Sequence, residues 1–487
     1  MGESKDMIRS LEPPPAAFLA RQSFHPWLVV AVTCIGAFIG QVDASIVQLV
    51  LPTLQWAFKA TVNDARWVAI AYLLAFAACL PVFARLCEMF GRKLLYLAAF
   101  ALFGAASLMC GLAQDLPTLI GWRVVQGIGG SLLGANSIAI LVKTVPADQR
   151  AHAIGCFTAA QAIGVSAGPV VGGLLLASLG WQWVFWVTVP FSAVAVVLGW
   201  LVLPRTESVV AETFDWPGAL LLIPSLVLAV LALNQLSVWP LLSLPTIACV
   251  AGAVAFLILF ARRERKAAFP LIELSLFHSG GFSTGILGVA LGYALLYAML
   301  FLSSYALLHG WHNSERVTGL KLALIPVAIG LLAPLGIALS HRWGLRVVGV
   351  IGMTLCLAAL MTFVAIGFWF ERESLAPGLT GMFVFGAGLG LFMAPNSNAT
   401  IAAAPAQHSG TAAGMVSLMR VLGSCIGVSA ASSMMAWRLE QRGGRDSLDV
   451  LFEGRALLDA IESSLAVLVV FAATAALLSW LRAPAQR

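Results

Sequence analysis

Residues 164–173 read Gly164-Val165-Ser166-Ala167-Gly168-Pro169-Val170-Val171-Gly172-Gly173. They lie inside an apolar run from about 152 to 177. As a helix rising 1.5 Å per residue, that run crosses the roughly 30 Å hydrocarbon core of a bilayer. Gly164, Gly168 and Gly172, at i, i+4 and i+8, make a flat stripe on which another helix packs very closely. Pro169 removes one backbone hydrogen bond and bends the helix. The stripe reads either as tight packing alone or as a surface that seals or hinges two parts of a membrane protein.

The rest of the chain has the same character. Of 487 residues, 10% are charged and 60% are hydrophobic, whereas ordinary soluble domains carry roughly 25% charge. A soluble multidomain enzyme, a disordered chain and a nucleic-acid binder are all excluded, because three soluble domains need far more polar surface. Fourteen apolar runs long enough to span a bilayer follow one another: 27–51, 67–84, 94–113, 118–141, 152–177, 183–203, 217–234, 241–260, 282–308, 317–339, 347–370, 377–401, 410–436 and 457–481. The first run is too long for the apolar core of a cleavable signal. The eight Cys include no CxxC pair and lie in or beside apolar runs, which fits small packing residues better than a disulfide framework or a metal site. His309 and His312 are a weak metal signal, and no metal or cofactor is expected.

An even number of spans predicts both termini on one side. With the N-terminus in the cytoplasm, most of the 28 basic residues fall on that side, including Arg85, Arg92, Lys93 and the run Arg262-Arg263-Glu264-Arg265-Lys266. This cluster marks topology, so the net charge of +6 implies no acidic partner. The chain also repeats internally. Pro81, Leu86, Gly91 and Lys93 correspond to Pro334, Leu339, Gly344 and Arg346. Gly127, Gly129, Pro146, Gly155, Gly164 and Gly168 correspond to Gly386, Gly388, Pro405, Gly414, Gly423 and Gly427 at an offset six residues longer, which fits a longer loop near 371–376. The expected organisation is a tail (1–26), a six-helix bundle (27–203), two inserted spans begun by Phe214-Asp215-Trp216-Pro217-Gly218 (204–265), a second six-helix bundle (266–481) and a short tail (482–487).

Three charges fall well inside spans: Asp43, Arg123 and Arg420. A carboxylate there costs about 2.5–3.5 kcal/mol on insertion scales, so Asp43 is a functional candidate by default, against the alternative of a structural group neutralised by another helix. Such a group can take a proton from one side and release it to the other. Asp43 is about 12 Å, and Arg123 about 7 Å, from the outer ends of their helices, a gap an Arg side chain can bridge. Gln41, Ser45 and Gln48 form a polar stripe with i, i+4, i+7 spacing, suited to a cavity wall or to interhelical hydrogen bonds. Arg420 has no carboxylate in its own helix, and can hold an anion or pair with another helix. Gln126, Tyr293, Tyr297 and Phe301 are further candidates for substrate contact or packing.

Several segments together resemble the major facilitator superfamily, over essentially the whole chain from residue 27. Ala84-Arg85-Leu86-Cys87-Glu88-Met89-Phe90-Gly91-Arg92-Lys93 is similar to its G-x-L-x-D-x-x-G-R-K signature, with Ala84 for Gly and Glu88 for Asp. Arg123-Val-Val-Gln126-Gly127-Ile-Gly129 is similar to R-x-x-Q-G-x-G, and Gly164–Gly173 to the G-x-x-x-G-P-x-x-G-G signature of antiporters. Asp43-Ala-Ser45-Ile-Val-Gln48-Leu-Val-Leu-Pro52 resembles the first-helix signature of the fourteen-helix drug:proton antiporter family, with Ser45 and Gln48 for Thr and Asn. Trp181-Gln182-Trp183 resembles that family's W-R-W, with a cation lost at Gln182.

The resemblance implies two six-helix bundles around a central cavity, alternating access and proton-driven export across a bacterial inner membrane. It gives Asp43 and Arg123 the proton-coupling or substrate role. It makes Gly164, Gly168, Pro169, Gly172 and Gly173 the conformational motif, and Glu88, Gly91, Arg92 and Lys93 a gating loop. The expected function is export of amphipathic, cationic small molecules in exchange for protons. The alternative is transport of an anionic or other small metabolite, with Arg420 or Arg123 as the anion site. Expected partners are the substrate, protons and lipid, with a periplasmic adaptor protein as a further candidate. The chain is expected to act as a monomer, and not as an enzyme.

Overall fold

The computed structural model describes residues 12–206, 214–236, 238–239, 242–267, 270–365, 375–405, 408–443 and 454–482. It is all helical among the described residues. Fourteen helices are long and apolar enough to cross a membrane: α1 (His25–Ala57), α2 (Val62–Phe90), α3 (Lys93–Gly111), α4 (Leu116–Thr144), α5 (Arg150–Leu179), α6 (Gln182–Val202), α7 (Trp216–Asn234), α8 (Leu244–Glu264), α9 (Gly280–Gly310), α10 (Glu315–Trp343), α11 (Leu345–Val364), α12 (Gly378–Ala402), α13 (Gly410–Gln441) and α14 (Ala456–Leu481). Apolar surroundings offer the backbone no water, so each segment satisfies its own N–H and C=O groups by winding into a helix. Between spans, short loops carry the stop and start signals. Asp115 caps α4 by accepting from the Thr118 N–H at 2.7 Å, and Pro117 follows where no N–H is needed. Gly91 and Gly344, equivalent positions of the repeat, end α2 and α10 at φ of +100° and +85°, a backbone region that disfavours any side chain.

The repeat of the sequence is a repeat of packing. In the first set, α1 packs on α5, α2 on α4, α3 on α4, and α6 on both α3 and α1. Eight helices later the same pairs recur: α9 on α13, α10 on α12, α11 on α12, and α14 on both α11 and α9. Individual glycines follow suit. Gly127 lies against the Tyr72 carbonyl and Gly386 against that of Ile325; Gly129 lies against Phe103 and Gly388 against Cys356. In each pair both residues are repeat equivalents. Residues 366–374, most of the α11–α12 connection where the offset slips, lie outside the described residues, as does the 444–453 segment.

The inserted helices α7 and α8 pack on each other, and α7 also touches α2 and α13. The apolar stretch of α8 is only 22% buried, against 78% for α9, so α8 faces lipid while α9 is central. At one end of the pair, the Arg263 Nε donates to Asp215 Oδ1 at 3.0 Å, and Glu264 Oε2 accepts from the Ile272 N–H at 3.1 Å. These bonds fasten α7 and α8 to the linker that leads into α9.

The two sets meet most closely away from the face that carries the termini. There α5 packs on the start of α10, and α2 on α13. Arg66, which just precedes the apolar run 67–84, is fully buried because α2 starts a turn earlier, at Val62. Its Nη1 donates to Ser433 at 3.0 Å, and its Nη2 to the Asn234 carbonyl, so it ties α2, α7 and α13 together. Beside it, Asn63 Nδ2 donates to Glu440 Oε1 at 3.3 Å. Cysteines placed at Asn63 and Glu440, in a background without other reactive thiols, are expected to be joined by a short bifunctional reagent in the resting protein. Joining them is expected to stop transport; full transport by the cross-linked protein would show that this face need not open.

Candidate transport site

Asp43 projects from α1 and Arg123 from α4, and the two meet inside the first set of helices. Arg123 Nη1 lies 2.7 Å from Asp43 Oδ2, and the side chains are 1% and 0% exposed. The remaining donors and acceptors are placed with equal care. Asp43 Oδ1 accepts from Gln126 Nε2 at 2.8 Å, and that amide also donates to Ser107 Oγ. Arg123 Nη1 donates to Gln126 Oε1 at 2.6 Å, and its Nε to the Val68 carbonyl at 2.9 Å. Its guanidinium carbon sits 4.3 Å from the Tyr72 ring centroid, a cation–π contact. Thr188 of α6 joins through Ser107 at 3.0 Å. A buried ion pair holds only when its other hydrogen-bonding capacity is met, and here five helices meet it.

A central cavity lies on the other side of Tyr72. Its walls include Gln41 and Ala44 of α1, Tyr72 and Phe76 of α2, Gly130 and Ser137 of α4, Gln161 of α5, Tyr293 and Tyr297 of α9, and Arg420 and Ser424 of α13. Both sets of helices thus contribute. Its space is about 80 Å³, well below the roughly 300–1,000 Å³ of ligand pockets. Arg420 Nη1 reaches Gln161 Oε1 at 3.3 Å, a link between the two sets.

The glycine stripe of α5 explains how the sets close. Gly164 lies against the Phe38 carbonyl, Gly168 against Ser45, and Gly172 against Ile46, so three glycines seat α5 on α1. Gly173 turns the other way: a Cβ there would meet the Glu315 carbonyl at 2.5 Å and Gly319 at 3.1 Å. The Pro169 carbonyl lies against the same Gly319. One helix therefore bears on the Asp43 helix with one edge and on the second set with another. At the end of α2 and in the α2–α3 turn, Glu88 pairs with Arg85 at 2.9 Å and with Arg92 at 3.7 Å. Lys93 is buried and donates to the carbonyls of Pro13 and Leu203, while the Arg92 N–H donates to Thr206. The loop thus anchors the segments before α1 and after α6.

Two of the substrate-contact residues expected from sequence sit elsewhere. Gln126 is fully buried inside the ion-pair network, because Asp43 and Arg123 consume its amide. Phe301 shares a face with Tyr293 and Tyr297 but lies about one turn beyond Tyr297 along α9, outside the cavity lining; it is fully buried against Tyr305, with ring centroids 5.0 Å apart. The polar stripe of α1 also divides: Gln41 faces the cavity, Ser45 bonds back to the Gln41 carbonyl, and Gln48 is buried. Sequence reasoning passed over Tyr72, Ser107, Gln161 and Thr188. The chain has 5 Tyr, and three of them, Tyr72, Tyr293 and Tyr297, line the cavity.

Fourteen spanning helices among the described residues, twelve of them in two equivalent sets of six that close on a cavity with a buried ion pair behind its wall, define a membrane transporter. A family profile described as the Major Facilitator Superfamily matches residues 33–428, and the chain belongs to that superfamily. Its fold is the major facilitator fold with two inserted helices, consistent with the fourteen-helix drug:proton antiporter family. The chain is 30% identical over 417 residues to the riboflavin transporter RibZ of Clostridioides difficile (strain 630), covering 85% of this chain and 89% of that protein. It is 31% identical over 413 residues to the multidrug resistance protein Stp of Mycobacterium tuberculosis (strain CDC 1551 / Oshkosh), covering 84% and 76%. A solved bacterial homologue of the human lysosomal transporter Spinster shares the fold at a TM-score of 0.68 and 14% identity, over 95% of this chain and 97% of that one. The chain is a multi-pass protein of the bacterial cell membrane.

Proposed function

We propose that this transporter exports amphipathic small molecules in exchange for protons, with Asp43 as the proton site. The observation that carries the reading is a fully buried carboxylate, bonded to Arg123 and Gln126, with Tyr72 spanning from that pair to the cavity. Ionised, Asp43 holds Arg123 by a charge-assisted bond. Protonated, it loses that attraction, while Arg123 keeps the Val68 carbonyl, Gln126 and the Tyr72 face. Cargo in the cavity presses on Tyr72, so cargo and proton act on one guanidinium from opposite sides. Asp43 rides on α1, which seats on the α5 glycines, and α5 meets α10 at Gly319. Protonation is thereby felt where the two sets close.

With the termini in the cytoplasm, as the positive charges favour, the cavity lies toward the cytoplasmic side of the closed face and loads from there. A monomer working alone, or with a periplasmic adaptor, fits this reading equally. The relatives compared include a multidrug resistance protein and a riboflavin transporter, which supports a small organic cargo. The test is transport by the purified protein in liposomes with an imposed pH gradient. Fluorescent dye is expected to accumulate in acidic-interior liposomes, to leak back when a protonophore is added, and to drive protons the opposite way without a gradient. Dye movement indifferent to the gradient would sink the proton-coupled reading.

A further inference from the structure

The cavity wall bears on the charge of the cargo, an inference that rests on the reading of this cavity as the cargo's route. Among the described residues, one charged side chain lines it, and that side chain is Arg420. A guanidinium carries five N–H donors in a planar fork. Here Nη1 makes a 3.3 Å bond to the neutral Gln161 amide, Nε is buried with no hydrogen-bond partner, and the guanidinium carbon lies 5.6 Å from the Tyr293 ring centroid. Asp43 cannot complete it. Both Asp43 oxygens are taken by Arg123 and Gln126, and the residue is fully buried away from the cavity. The lining therefore presents an uncompensated positive charge beside three tyrosines and Phe76. An aromatic cation entering here meets like charge and no carboxylate. An aromatic anion meets a fork whose geometry matches a carboxylate or sulfonate.

We propose that the cavity binds planar aromatic anions, with the acid group on Arg420 and the ring among Tyr293, Tyr297 and Phe76. The oxyanion replaces Gln161 on the guanidinium, which loosens the polar link between α5 and α13 at the same moment that cargo is held. The expected cationic cargo is thereby reversed in sign. Occupancy by a dye-sized anion requires this space to widen, and the Arg420–Gln161 bond joins two of its walls.

The test uses two dyes with one ring system and opposite charge, fluorescein (anionic) and rhodamine 6G (cationic), bound to the detergent-purified protein at pH 8 and read by fluorescence anisotropy. Wild type is expected to bind fluorescein at least about tenfold more tightly than rhodamine 6G, the scale of one charge-assisted hydrogen bond. Arg420→Gln is expected to lose about tenfold or more in fluorescein affinity and nothing in rhodamine 6G affinity. Arg420→Lys, which keeps the charge and loses the fork, is expected to fall between the two, and it serves if the Gln variant does not stay monodisperse. Tighter rhodamine 6G binding by wild type, no saturable fluorescein binding, or fluorescein affinity unchanged in Arg420→Gln would overturn the proposal. The binding assay involves no gradient, so it separates the two ideas. Anion preference with gradient-independent transport would remove only the proton coupling, and proton-driven transport with cation preference would remove only the anionic cargo.

Discussion

Asp43→Asn is expected to reduce pH-gradient-driven dye accumulation in liposomes to the level of protein-free vesicles, while dye binding in detergent stays within about threefold of wild type. The substitution keeps the shape of the side chain and an oxygen that can still accept from Arg123, so α1 remains docked on α4. What it removes is the ability to gain and lose a proton. An Asn is permanently neutral and holds the network in the arrangement of the protonated carboxyl. The halves can then respond to cargo but not to the gradient. Exchange of external for internal dye at equal pH is expected to survive, because that exchange needs no net proton movement. Accumulation at the wild-type rate would place the proton site elsewhere, and the simultaneous loss of dye binding would show that Asp43 serves the cavity itself. Arg123 is left a buried cation without its carboxylate, so the variant is expected to lose up to about 3–5 kcal/mol of stability, offset in part by the bonds Arg123 keeps to the Val68 carbonyl, Gln126 and the Tyr72 face; the dye-binding arm is read only on protein that stays monodisperse.

Much of the architecture was legible because bilayers impose few solutions. A run of about 20 apolar residues has to be a helix, and fourteen such runs with basic residues on alternate loops limit the topology severely. The repeat was legible because close helix crossings demand glycine: the Gly127–Tyr72 and Gly386–Ile325 contacts leave no room for a side chain in either copy. The Asp43–Arg123 contact followed from depth along two helices, an arithmetic that works because helices are rigid rods. Direction around the helix axis was harder. Tyr293, Tyr297 and Phe301 share one face by spacing, yet the cavity ends before Phe301, and only the closure of the far side determines where it ends. Arg66 fell outside the apolar run 67–84 because α2 starts with a polar turn, Val62-Asn63-Asp64-Ala65, whose burial comes from packing by α13 and not from its own composition. Tyr72 was invisible for a related reason: a tyrosine in an apolar run declares neither a cavity nor an arginine behind it.

The ion pair should also dominate stability, and in a way that distinguishes a pair from two separate residues. Arg123→Gln leaves Asp43 fully buried with Gln126 as its remaining partner, so the carboxylate must be neutralised or exposed for the chain to stay folded. Removing one member of a buried pair typically costs about 3–5 kcal/mol, most of it the penalty of the orphaned charge. Arg123→Gln also gives up the bond to the Val68 carbonyl and the stacking on Tyr72, which belong to Arg123 alone. Adding Asp43→Asn removes the orphaned charge and none of those other losses. The double variant is therefore expected to be more stable than Arg123→Gln, recovering to within about 2 kcal/mol of wild type, although neither variant should couple transport to the gradient. Unfolding of the four proteins in detergent closes the cycle. If the two substitutions simply add, the 2.7 Å contact carries no coupling energy, and Arg123 is held in place by Val68, Gln126 and Tyr72 without help from the carboxylate. A strong interaction term would instead tie stability and proton coupling to the same bond, so that the site which must break in every transport cycle is also the one that holds α1 to α4.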